Sequence, residues 1–204
     1  MAFIANTAYE LFAIGFGGLL LLYTVISMYL VYRRGKKNFD EYLESASIPL
    51  AVIGAYMLFS GFWGQSTWTL PGSYNILFYD PLVSFGIILI AFALSVRYQV
   101  RLEYAGVLAL RFGIMLFIYG TVGYNIGLTT EPIALLGLYY LYGLVGIFAY
   151  PMSLMIDRLP GFDKSHSWVW DVSFVVFCAA LLVGSLLAVG IGAMAIPQHL
   201  LTAP

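Results

Sequence analysis

The chain has 204 residues, of which 62% are hydrophobic and 9% are charged, and its mean hydropathy is +0.92. A soluble domain is about half apolar and about one quarter charged, so this composition excludes a water-soluble, disordered or fibrous protein and indicates an integral membrane protein. The formal net charge of -1 argues against a nucleic-acid partner, and the single cysteine, Cys178, excludes an intramolecular disulfide framework and a cysteine-based zinc site.

Six apolar runs are predicted to cross the bilayer, for which a helix needs about 20 residues. We therefore predict an all-α fold, a six-helix transmembrane bundle that forms a single integral membrane domain over residues 1–204. The protein is then a multi-pass protein of the cell membrane. The predicted spans are, in chain order, Tyr9–Tyr32, Ile48–Ser66, Pro81–Val96, Leu102–Gly123, Pro132–Ile156 and Trp168–Ile196.

The Lys and Arg residues predict the orientation of the bundle. Eight of the nine follow the first, third or fifth predicted span, so they lie at one end of the bundle, which we call the basic end; the opposite end is the acidic end. Because positively charged loops stay in the cytoplasm, we expect the basic end inside and both termini outside. These eight residues are Arg33, Arg34, Lys36, Lys37, Arg97, Arg101, Arg158 and Lys164.

Two helical hairpins are predicted to repeat, over residues 48–98 and 102–157. The tripeptide Met-Leu-Phe at residues 57–59 recurs at residues 115–117, and each copy is followed by two glycines. The tripeptide Tyr-Asn-Ile at residues 74–76 likewise recurs at residues 124–126. The hairpins run in the same sense, so the repeat predicts a pseudo-twofold axis along the membrane normal.

Each predicted hairpin contains an acidic residue followed by proline, at Asp80-Pro81 and at Glu131-Pro132. Proline is favoured at the first position of a helix, and an acidic residue before it caps the free N–H groups and opposes the helix dipole. Both pairs are therefore predicted to begin a helix that runs back into the membrane.

The same acidic residues allow a functional interpretation. A polar vestibule at the acidic end would disfavour anions, because no Lys or Arg lies on that side. The candidate residues of this vestibule and of a pathway behind it are Gln65, Asn75, Asp80, Asn125 and Glu131.

Arg111 is the charge that lies deepest in a predicted span, about 13 Å from its start at 1.5 Å per residue. Charges at such depth face the bundle and find a partner. We predict an intramembrane ion pair between Arg111 and Asp171, with Asp157 as a second candidate acid. The alternatives are snorkelling of the side chain to the cytoplasmic interface and a functional role as a gate or solute contact.

No set of polar side chains converges at a common depth, so the chain is predicted to be non-enzymatic, without catalytic residues, metal ligands or cofactor. His166 and His199 lie on opposite sides of the membrane, about 30 Å or more apart, and therefore cannot both ligate one haem. In the last span small residues recur every four positions, which suits close contact within the bundle or between protomers. This stripe consists of Ala180, Gly184, Ala188 and Gly192.

Residues 70–81 and 123–139, which carry the Tyr-Asn-Ile motifs and the two acidic-proline pairs, resemble an uncharacterised, mainly archaeal family of predicted multi-span membrane proteins with a domain-of-unknown-function label. The resemblance implies a prokaryotic membrane protein and no particular activity. In architecture alone, the chain is also similar to the amide and urea channel family, which favours passive transport of a small solute.

Two functions follow from these observations, and a membrane enzyme that acts on lipid or quinone is a third alternative. The first is a channel or transporter for a small neutral or cationic solute. The alternative is an accessory or scaffolding subunit of a larger membrane complex, for example a respiratory complex. In either case we expect membrane lipids as partners, and self-association into a homo-oligomer or membership of a membrane complex.

Overall fold

The structure, a computed structural model, describes residues 6–33, 39–158 and 168–201. These residues form six α-helices and no strand, and each helix is long and apolar enough to cross a membrane. The predicted all-α six-helix bundle is therefore confirmed. The helices are α1 Asn6–Arg33, α2 Phe39–Thr67, α3 Tyr74–Arg97, α4 Glu103–Asn125, α5 Pro132–Arg158 and α6 Trp168–Leu201.

The six helices form a ring in chain order. Each helix contacts the next one along the chain, and α6 returns to contact α1. In addition, α1 contacts α3, so α2 packs against the outside of these two helices. Five helices, α1 and α3 to α6, therefore surround the centre of the bundle, where the cavities described below are found.

The two hairpins α2–α3 and α4–α5 are held by close approach of helix backbones at glycines. A Cβ atom placed on Gly86 would lie 2.7 Å from the carbonyl oxygen of Gly54, and one placed on Gly146 would lie 2.5 Å from that of Ala109. Apolar burial gives little association energy between helices in lipid, so van der Waals contact between close backbones has to supply it. At these two points, where the helices cross, no side chain larger than that of glycine fits. We call them the glycine crossings.

The small-residue stripe of α6 contacts helices of the same chain. All four of its residues are buried. A Cβ atom on Gly192 would lie 3.2 Å from the carbonyl oxygen of Ala8, and one on Gly184 would lie 3.3 Å from Leu141. Of the two interpretations of this stripe, the structure supports the contact within the bundle.

Helix α3 begins earlier than predicted. The turn after α2 is completed by Gly72, whose φ of +56° suits glycine, and α3 starts at Tyr74. The pair Asp80-Pro81 therefore occupies the seventh and eighth positions of α3, about two turns from its start, and the prediction that it begins this helix is wrong. By contrast, α5 begins at Pro132, as predicted.

The glycine crossings give a first testable prediction. Gly146→Ala should lower the free energy of unfolding by about 1–3 kcal/mol, because its methyl group overlaps the α4 backbone. Gly190→Ala is the matched control, since a Cβ atom there meets nothing within 4 Å and alanine favours the helix by about 0.5–1 kcal/mol. The measurement is unfolding in detergent micelles, followed by tryptophan fluorescence. Equal effects of the two substitutions would contradict the packing described here.

Candidate solute pathway

Two apolar cavities lie one above the other along the centre of the bundle. The basic-side cavity has a volume of about 70 Å³ and is lined by α1, α3, α4, α5 and α6. The acidic-side cavity has a volume of about 40 Å³ and is lined by α1, α3, α4 and α5. Their walls consist almost entirely of aliphatic and aromatic side chains, with the hydroxyl-bearing residues Tyr139, Tyr142 and Ser153 as exceptions.

Three aromatic residues, Phe85, Phe112 and Tyr142, line both cavities and separate them. We refer to these three as the aromatic constriction. The Tyr142 hydroxyl donates to the carbonyl oxygen of Ile14 at 3.2 Å and lies 3.2 Å from the hydroxyl of Ser185. The Phe85 ring meets the Tyr142 ring edge-on, with centroids 5.7 Å apart. Hydrogen bonds from α5 to α1 and α6 therefore fix the position of the constriction.

The basic-side cavity is closed toward the basic end of the bundle. Leu102 and Ile156 line the cavity, and both belong to a buried apolar cluster with Met28, Val31 and Leu43. This cluster joins residues of α1, α2 and α5 to the turn that precedes α4. We call it the basic-end cluster. A solute therefore reaches the basic end only if these side chains move apart.

A hydrogen-bonded network lies at the acidic end of the bundle and is centred on Asp80. One carboxylate oxygen of Asp80 accepts a hydrogen bond from the side-chain amide of Gln65, and the other accepts one from the hydroxyl of Tyr119, both at 2.7 Å. These bonds join α2, α3 and α4. Thr69 and Tyr79 add a second bond between the turn and α3, with their hydroxyl oxygens 2.6 Å apart.

Pro81 explains a further bond of this network. Proline has no N–H group, so a proline inside a helix leaves the carbonyl group four residues earlier without its helical donor. In α3 this carbonyl belongs to Leu77, and the hydroxyl of Tyr139 from α5 donates to it. Tyr139 is almost fully buried and lines the acidic-side cavity. The bond therefore satisfies a buried backbone group and joins the two hairpins at the same time.

Glu10 is a buried carboxyl group that the sequence analysis did not select. Only 4% of the residue is exposed, its carboxyl group interacts with the Tyr79 hydroxyl, and its Oε2 atom has no hydrogen-bond partner among the described residues. It lies one turn before Ile14, which lines the acidic-side cavity, and hence on the same face of α1. The signal in the sequence was a lone acidic residue beside an apolar run, which intramembrane functional sites often show.

The structure brings together three of the five predicted vestibule residues. Gln65 and Asp80 are bonded directly, and Asn75 lies in the same hairpin. Asn75 accepts a hydrogen bond from the Leu70 N–H group and donates one to the Gly64 carbonyl oxygen, so it holds the turn between α2 and α3. Asn125 and Glu131 are exposed at the turn between α4 and α5, and no hydrogen bond joins them to the network within the described ranges.

The predicted ion pair between Arg111 and Asp171 is not found. Arg111 lies on the exposed face of α4, and α4 contacts α3 and α5 but not α6, which carries Asp171. The second candidate, Asp157, accepts hydrogen bonds from the backbone N–H groups of Leu102 and Glu103, both at 2.9 Å. It therefore caps the start of α4, because the first N–H groups of a helix lack partners within it.

Some predictions fall partly on residues that the structure does not describe. His166 and the side chain of His199 lie outside the described residues, as do four of the basic residues that predict the orientation, Arg34, Lys36, Lys37 and Lys164. The absence of haem and the cytoplasmic location of the basic end therefore stay predictions. Within the part that is described, no three His, Cys, Asp or Glu side chains are placed to hold a metal ion.

The chain belongs to the family described as protein of unknown function (DUF981), which matches residues 1–202. This match confirms the predicted resemblance to a family with a domain-of-unknown-function label, while the archaeal distribution stays a prediction. No curated protein and no solved structure matches the chain. The family description names neither an activity nor a ligand.

The proline in α3 gives a second testable prediction, a double-mutant cycle. Tyr139→Phe should lower the free energy of unfolding by about 1–3 kcal/mol, because the carbonyl group of Leu77 loses its donor while it stays buried. In the Pro81→Ala background the restored helical N–H group serves that carbonyl, so the loss should shrink by about 1 kcal/mol or more.

The control for this cycle is Tyr140→Phe, because the Tyr140 hydroxyl is exposed and bonds only to Thr121 among the described residues. Tyr140→Phe should change the free energy of unfolding little, both with Pro81 and in the Pro81→Ala background. The measurement is a denaturant titration of all variants in mixed micelles. If Tyr139→Phe costs the same with and without Pro81, the hydroxyl does not replace the missing helical bond.

Proposed function

We propose that this member of a family of unknown function is a non-enzymatic protein of the cell membrane that passes a small neutral solute through the centre of its helix ring. The observation that supports this function is the pair of cavities stacked along the bundle axis and divided by the aromatic constriction. Packed bundles have few voids larger than a water molecule. Two such voids, one above the other between the helices of the ring, favour a pathway.

The chemistry of the walls narrows the class of solute. An ion that enters an apolar cavity loses its hydration without new partners, which is far more costly than the transfer of a neutral molecule. Toward the acidic end, Glu10 and Asp80 place two carboxyl groups next to Leu11 and Pro81, which line the acidic-side cavity, and the sequence has no Lys or Arg on that side, so anions are disfavoured. Of the two predicted classes, neutral and cationic, the walls favour the neutral one.

The cavity volumes bound the size of the solute. A cavity needs about 10–15 Å³ by this measure to admit one water molecule, and both cavities, at about 70 and about 40 Å³, exceed this threshold. A solute with a few non-hydrogen atoms fits either cavity. Passage between them requires the aromatic constriction to open, and hydrophobic constrictions of this kind gate by excluding water until they widen.

The constriction gives a third testable prediction, on transport. Phe112→Ala removes one of the three side chains that separate the cavities and should raise the flux of a permeant solute on the order of tenfold, which corresponds to a barrier lower by about 1.4 kcal/mol. Phe174→Ala is the matched control. It removes the same atoms from a half-buried phenylalanine that stacks on Tyr29 and lines neither cavity.

The measurement is solute uptake into proteoliposomes, with water, ammonia, urea, acetamide and small alcohols as probes and with protons and chloride as charged comparisons. Wild-type protein should exceed empty vesicles for at least one neutral probe and exclude chloride. Variants are compared at equal reconstituted amounts that elute as single species in detergent. No flux above empty vesicles for wild type and Phe112→Ala alike would remove the support for this function.

A further inference from the structure

Arg111 carries a positive charge near the middle of a membrane-spanning helix, on the side that faces away from the bundle. It is the ninth residue of the 23-residue helix α4, which places its Cα atom within about 5 Å of the helix centre at 1.5 Å per residue. The residue is exposed, whereas Ala109, Phe112 and Gly113 beside it are buried. In a bilayer, this side of α4 meets either lipid chains or another protein.

Nothing in the described chain neutralises this charge. Among the described residues, no side chain forms a hydrogen bond or an ion pair with Arg111. The carboxylates of neighbouring elements are engaged elsewhere: Asp157 caps α4, Asp80 binds Gln65 and Tyr119, and Glu103 pairs with Arg101 at 3.5 Å. The start of α4 is about 12 Å away along the helix, which is longer than one extended arginine side chain.

The residues around Arg111 have the spacing of a helix-packing seam. Exposed or half-buried side chains follow each other at alternating steps of four and three residues along the outer face of α4. This 3.5-residue period is that of two helices in left-handed contact, in which a single polar residue within an apolar seam fixes the register and the choice of partner. The seam consists of Tyr104, Leu108, Arg111, Met115, Ile118 and Val122.

We propose that this outer face of α4 is a docking surface for a membrane-spanning helix of another protein, and that the partner helix brings an Asp or Glu side chain to Arg111. A carboxylate is the group that pairs with a guanidinium in two parallel hydrogen bonds, and such a pair removes the cost of a lone charge in lipid. The seam provides the apolar contact on both sides of the pair.

A second copy of this chain does not meet the requirement. Two copies related by a twofold axis through this face would place Arg111 opposite Arg111. Of the acidic residues in the described spans, Glu10 is buried and Asp80 is bonded inside the bundle. The other four lie at the basic end of the bundle, so none is presented at mid-height on an outer face; they are Glu44, Glu103, Asp157 and Asp171. The partner is therefore a different protein, which corresponds to the accessory-subunit alternative drawn from the sequence.

The test is site-specific photo-crosslinking in membranes of cells that naturally make the protein. A photoreactive amino acid at Leu108 or Ile118 should capture a membrane protein whose crosslinked helix carries an acidic residue within one turn of the attachment point. The same amino acid at Val52 or Phe59, both exposed on α2, is the matched control and should not capture this protein. Arg111→Leu should reduce capture at least about tenfold, a loss of about 1.4 kcal/mol.

Charge exchange identifies the pair itself. Arg111→Glu should abolish capture, and a Lys in place of the partner's acidic residue should restore it. The isolated Arg111→Leu chain should be at least as heat-stable as wild type in lipid nanodiscs, because it exposes no charge to lipid. Lower stability would show that Arg111 has a partner within the chain and would overturn the proposal.

Three further outcomes would overturn it. Capture of only a second copy of this chain would assign the face to a homo-oligomer. Capture that persists in Arg111→Leu would show that the charge does not determine docking. A wild-type stability that depends on anionic phosphatidylglycerol, compared with neutral phosphatidylcholine, and loses this dependence in Arg111→Leu would assign the charge to a lipid phosphate.

Discussion

Close contact between helix backbones is the constraint on which the rest of this bundle depends. Lipid chains are as apolar as the helix surfaces, so burial against a neighbouring helix brings little gain beyond better packing. At Gly86 and Gly146 the neighbouring backbone comes so near that a single methyl group does not fit. The hairpins α2–α3 and α4–α5 are therefore tight units. Between α3 and α4, and between α1 and α3, the helices stay further apart, and the cavities form among their large side chains.

Hydrogen bonds between polar groups connect helices that the glycine contacts do not hold together. Asp80 joins α2, α3 and α4 through two hydrogen bonds, and Tyr139 joins α5 to α3 at the carbonyl group that Pro81 leaves without a donor. All of these groups lie toward the acidic end, whereas the basic end is closed by apolar side chains. The interior thus changes from a polar network at one end to an apolar cavity at the other, and the proposed pathway has to cross both environments.

The number and type of the helices were predictable from the sequence, because hydropathy directly measures the cost of placing a segment in lipid. The start of α2 was not, since this helix begins at Phe39, nine residues before the predicted span, and contains Pro49. Nor was the start of α3, because Pro81 lies inside this helix, where the donor missing at Leu77 is replaced by Tyr139, a residue distant in sequence. The same limit applies to Arg111. The depth of Arg111 in the span could be predicted from the sequence. The side of α4 on which it lies could not, since the lipid-facing and bundle-facing sides of this helix are both apolar. Glu10 was missed because it is the second residue of the predicted span, where a carboxyl group is expected to reach water, whereas α1 begins at Asn6 and buries it.

Tyr142 links the contact between the first and last helices of the ring to the aromatic constriction. Its hydroxyl contacts α1 and α6, the first and last helices to enter the membrane, while its ring forms part of the aromatic constriction. A nascent chain that still lacks α6 has no Ser185 to hold this ring in place. If the proposed pathway exists, its barrier is therefore complete only once α6 has packed against α5.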